Sequence, residues 1–77
     1  MGAVITDQHL LVLLGARRHQ SYREIAKLLG NKAVGTVQQR FHELEEEGLV
    51  APMKERRARS RTLTLAGLNL LRRNNLE

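Results

Sequence analysis

Cysteine is absent from this 77-residue chain, which removes both a disulfide framework and any thiolate metal site. The three histidines, His9, His19 and His42, are spaced too widely to form a ligand pair on one helix, so no metal site is expected. Tryptophan is missing too. Tyr22 and Phe41 are the only aromatics, too few to build stacking platforms for single-stranded nucleic acid. No apolar run exceeds Leu10–Leu14, far below membrane-spanning length. Asp7 is the only aspartate, and Ser21 and Ser60 are the only serines. With no nucleophile elbow, no Gly-rich phosphate loop and no paired-carboxylate cleft, the pattern points away from an enzyme, and no cofactor is expected.

What is present is small and basic. The length fits one domain over 1–75, with Leu76-Glu77 set aside as a possible tag remnant. A core of this size is marginal, so most apolar side chains must share one interior. Net charge is +5, and the excess is local: between Lys54 and Arg61 five basic residues face one acid, while Glu43, Glu45, Glu46 and Glu47 gather acid just before it. Such polarity suggests an oriented polyanion-binding face, the competing reading being a solvated loop that keeps the chain soluble. The opening Met-Gly-Ala-Val-Ile-Thr formally matches an acylation signal at Gly2 and Thr6, yet Thr6 is better used as a helix cap.

Helical spacing organises the first two thirds. Thr6-Asp7 opens a first helix with Leu10, Leu13 and Leu14 on one stripe and Leu11 and Val12 widening it, ending near residues 16–18 after Gly15. Ser21 and Glu24 form a capping box for a second helix whose Ile25, Leu28 and Leu29 turn inward and which Gly30 closes. After the short turn Asn31-Lys32-Ala33, a third helix carries Val34, Val37, Phe41 and Leu44 on one side and stops at Gly48. Two helices around so short a connection read as a helix-turn-helix. Beyond Gly48 the period becomes two. Residues 49–53 and 62–65 read as hairpin strands, with Leu63 and Leu65 inward and Pro52 restricting its strand to an edge. Residues 66–73 read as a final helix. The expected fold is α+β, mainly α: a three-helix bundle, a β-hairpin wing and a C-terminal helix, which is a winged helix-turn-helix.

Arg-Glu-Ile-Ala-x-x-Leu-Gly over Arg23–Gly30 and Leu-x-x-x-Gly-Leu-Val over Leu44–Val50 resemble the DNA-binding domain of the LexA repressor. Leu63-Thr64-x-x-Gly67-x-x-Leu70-Leu71 resembles a segment of MarR-type regulators. Together the two likenesses cover most of residues 6–73. They imply a transcription regulator, of repressor type, bound to double-stranded DNA. LexA's self-cleaving domain has no counterpart here. The positions aligned with base readers are Gly35, Thr36, Gln38 and Gln39. Gln38 and Gln39 replace acidic residues of LexA, so its operator is not carried over.

The chemistry of these side chains agrees with that role. A glutamine amide pairs bidentately with adenine, and a threonine methyl meets the thymine methyl. An ordinary exposed helix face is the alternative for Gln38 and Gln39. Arg40 is expected on phosphate or paired with Glu43, and His42 near the groove wall. Lys54, Arg56, Arg57, Arg59 and Arg61 are expected in the wing, gripping the backbone or a narrow minor groove. Ser21, Tyr22 and Lys32 are expected at backbone phosphates, Tyr22 with packing as an equal alternative. Leu68, Leu70 and Leu71 of the last helix suggest a homodimer, and the expected location is cytoplasmic, with the nucleoid. The rival function is a protein-interaction module using the four glutamates and Leu68/Leu71 as contact surfaces.

Overall fold

The computed structural model describes residues 4–52 and 61–76, and within them the chain forms four helices: α1 (Asp7–Arg17), α2 (Tyr22–Leu28), α3 (Val34–Glu46) and α4 (Leu65–Arg73). α1 lies centrally, packed against each of the other three, while α2 also packs on α3. Val12, Leu13, Ile25, Val37, Phe41, Leu44, Val50 and Leu71 are essentially fully buried and form one core. The starts are chemical. Ser21 Oγ accepts from the Glu24 amide (3.2 Å) while the Glu24 carboxylate accepts from the Ser21 amide (3.4 Å), the expected capping box.

The ends of α1, α3 and α4 share one device. The residue just past each cap takes a left-handed conformation, His19 (φ 58°), Gly48 (φ 71°) or Asn75 (φ 57°). The next amide then reaches back to a carbonyl five residues earlier: Gln20 to Gly15 (2.9 Å), Leu49 to Leu44 (2.9 Å) and Leu76 to Leu71 (2.9 Å). Leu76 packs against the core through this turn. His19 bears a Cβ where only glycine is at ease. Replacing His19 with Gly is expected to raise stability by about 0.5–1 kcal/mol, read as a higher urea midpoint.

The β-hairpin wing is not there: the described residues contain no strand and no sheet, and the fold is all-α rather than α+β. The two segments meet in one isolated antiparallel bridge, Val50 with Leu63. Ala51 N–H donates to the Thr62 carbonyl (2.8 Å) and Thr64 N–H to the Leu49 carbonyl (3.1 Å). Pairing stops for local reasons. The Leu49 amide is taken by the end of α3, the Ala51 carbonyl faces the Arg61 guanidinium (3.4 Å), and Pro52 has no amide to give. On the other side Thr64 is a helix cap, its Oγ1 accepting from the Gly67 amide (3.2 Å) and donating to the Gly48 carbonyl (2.6 Å). Leu65 therefore opens α4, 71% exposed, instead of pointing inward. In α2 the inward place expected of Leu28 is filled by Ala26, with Leu28 left 41% exposed.

Candidate nucleic-acid interface

α3 separates cleanly into two faces. With Val37, Phe41 and Leu44 buried, the helical period leaves Gly35, Gln38, Gln39 and His42 exposed and Thr36 half-buried. Gly35 is informative. A Cβ at that position would meet nothing within 4 Å, and the backbone there needs no left-handed conformation. Glycine within a helix gives up roughly 0.5–1 kcal/mol against alanine, and here no internal packing requires it.

The flank of this face is held by a partly buried network. His9 on α1 is 2% exposed. The Thr6 amide donates to its Nδ1 (3.0 Å), which leaves the ring proton on Nε2 to be donated to the Glu43 carboxylate (2.9 Å). Glu43 also pairs with Arg40 (3.0 Å) and accepts from the Gln39 amide. These contacts, the His9 hydrogen bond first, lower the Glu43 pKa below its ordinary 4.5. A depressed carboxylate contributes stability above its unfolded value that is lost as pH falls through the folded one. Glu43→Gln is therefore expected to flatten the acid limb. Urea midpoints compared on either side of pH 4.5 should fall less steeply in the variant than in the parent.

The remaining acids of α3 and its C-cap are also occupied within the chain. Glu46 pairs with His42 (3.0 Å) and Glu45 with Arg61 (2.6 Å), and Glu47 has a partner as well. Arg61, expected with the ligand-gripping basic residues, instead sits at the core. Its side chain is 9% exposed and its guanidinium lies 5.4 Å from the centre of the Phe41 ring. Tyr22, one of the expected backbone contacts, stacks on the same Phe41 ring (5.2 Å between centroids). Ser21 is engaged in its cap, and Lys32 is exposed at the turn. Lys54, Arg56, Arg57 and Arg59 lie outside the described residues. In α4, Leu71 is fully buried and Leu68 and Leu70 half-buried, so this helix faces the core with part of the surface expected between two copies.

Two features escaped the sequence. Arg23 and Lys27, four apart on α2 and opposite Ile25 and Leu29, line a depression of about 250 Å³ together with Ala26, Asn31, Lys32 and Val34. The signal was the spacing itself, since neither residue lies in a charge-dense stretch. A second depression, about 320 Å³, lies between the end of α1 and the Arg61–Leu63 segment, with Leu68 at its side. No protein-family model matches the chain, and neither does any curated protein or solved structure.

Proposed function

We propose that the protein is a sequence-specific binder of double-stranded DNA, a transcription regulator of repressor type, with α3 entering the major groove. The observation that carries the reading is the outward face of α3, where Gly35, which no packing among the described residues requires, stands beside Thr36, Gln38 and Gln39. A helix fits the major groove, where each base pair displays its own donors and acceptors. Gln38 and Gln39 supply amides for adenine, Thr36 a methyl and hydroxyl, and Gly35 lets the helix come close to the base edges. Likeness to LexA over residues 21–50 and to MarR-type regulators over residues 63–71 supports the reading. Lys54, Arg56, Arg57 and Arg59 enter it through their charge alone. Such a ligand implies a place on the nucleoid, in the cytoplasm.

The interaction-module reading is less well supported, because its four acidic contacts have partners within the chain and Leu71 is buried. The test is selection from random duplex DNA, then anisotropy titrations of the preferred site against a scrambled one. Gln39→Ala is expected to cost about 1–3 kcal/mol on the preferred site, the worth of one bidentate base contact. Gly35→Gln is expected to remove the preference without lowering the thermal midpoint. If the ratio of preferred to scrambled affinity survives Gln38→Ala, Gln39→Ala and Gly35→Gln alike, α3 does not read bases.

A further inference from the structure

We propose that the depression lined by Arg23, Lys27, Asn31 and Lys32 is a seat for a backbone phosphate of the DNA, which deepens and rests on the reading of α3 above. Three cationic side chains line a space of about 250 Å³, and among the described residues no carboxylate lines it with them. Two arginines elsewhere are matched by carboxylates: Arg40 with Glu43 and Arg61 with Glu45. Arg23, Lys27 and Lys32 have no such pair among the described residues. The nearby acid, Glu24, is turned to the Ser21 amide by the capping box.

Like charges four apart on a helix repel by a few tenths of a kcal/mol, so Arg23 and Lys27 are a standing cost to the isolated chain. An anion between them reverses that sign. The turn brings the third cation into place. Gly30 and Asn31 adopt left-handed conformations (φ 90° and 60°), and the Lys32 amide donates back to the Ala26 carbonyl (3.1 Å), which holds Lys32 beside α2. Asn31 adds an amide donor suited to a phosphate oxygen.

The size of the space decides the kind of ligand. It is open and smaller than the about 300–1,000 Å³ of clefts that engulf a small molecule. A phosphodiester presented from the surface of a polymer suits it better. Val34, the first residue of α3, forms one wall, so an anchored phosphate lies at the end of the helix that carries Gly35 and Thr36. Phosphate contacts fix register while base contacts specify. The seat thus sets how α3 lies in the groove and supplies affinity that every sequence shares.

The test compares Arg23→Ala/Lys27→Ala/Lys32→Ala with a charge-matched control, Arg18→Ala/Arg72→Ala/Arg73→Ala, in salt titrations on duplex DNA. The seat variant is expected to melt no lower than the parent and to weaken binding equally on preferred and scrambled duplexes. Its slope of log affinity against log salt should flatten by about 1, near one unit for the phosphate that is no longer neutralised. The control should flatten it less. An equal flattening by both variants, or an unchanged slope in the seat variant while the parent keeps its sequence preference, overturns the seat and leaves base reading by α3 standing. A flattened slope in the seat variant of a parent without sequence preference keeps the seat and removes the base reading. No binding of the parent to any duplex at low salt removes both.

Discussion

Gly67→Ala is expected to cost about 3 kcal/mol or more, and so to leave the domain near its unfolding threshold at room temperature. A Cβ at this position would overlap the backbone carbonyl oxygen of Leu49, and a backbone carbonyl has no rotamer to escape into. Overpacking costs typically about 1–3 kcal/mol where side chains can give way, and more where they cannot. The Leu49 oxygen is also the acceptor of the Thr64 amide (3.1 Å). Moving it disturbs the junction of α3 and α4 from both sides. A domain of this size holds only some 5–15 kcal/mol in total, so one such loss is large. Urea unfolding followed by far-ultraviolet circular dichroism measures it. A midpoint equal to that of the parent would mean that α4 does not dock as described. Gly35→Ala is the internal contrast, since nothing lies near its Cβ and no loss of stability is expected.

Gly67 also shows what the sequence could and could not convey. The pattern Leu63-Thr64-x-x-Gly67-x-x-Leu70-Leu71 was legible as a pattern, but its cause is a contact with a residue 18 positions earlier. Thr64 caps α4, Gly67 lets α4 approach Leu49, and Leu71 fills the core. The alternation Thr62-Leu63-Thr64-Leu65 is equally that of a short strand and of a capped helix start. Only the prior commitment of the Leu49 amide to α3, and of Thr64 to Gly67, decides between them. Periodicity did better where a helix is long. The inward set Val37, Phe41 and Leu44 was readable, and with it the outward set of the candidate interface. Gly15 sits between these cases. Its place near the end of α1 was visible, whereas its reason is the Ile25 side chain, with Cγ1 2.5 Å from where a Cβ would stand. His9 gave no signal, because a buried imidazole is defined by the Thr6 and Glu43 groups around it. Within the basic stretch, charge alone could not separate Arg61 from its neighbours.

That separation has a measurable consequence: Arg61→Ala is expected to lower stability by about 2–3 kcal/mol and to leave the preference for one duplex over another unchanged. The truncation removes the ion pair to Glu45 (2.6 Å) and the cationic cover of the Phe41 ring. It also leaves a space where the aliphatic stem was buried. Breaking a fully buried pair costs about 3–5 kcal/mol. Glu45 is 35% exposed and can recover some hydration, so the expected loss is smaller. The Arg61 Nε is buried without an acceptor, a cost of about 1–3 kcal/mol in the parent that the substitution relieves. For the same reason Arg61→Met combined with Glu45→Met, which keeps the apolar volume and removes both charges, is expected to lie much closer to the parent than Arg61→Ala. Arg57→Ala with Arg59→Ala is expected, from the loss of charge alone, to weaken binding on every duplex. Urea midpoints and anisotropy titrations on the three variants place each arginine on one side or the other. Loss of DNA affinity without loss of stability in Arg61→Ala would return Arg61 to the ligand-gripping group. Loss of stability alone makes it the arginine that ties the end of α3 to the segment entering α4.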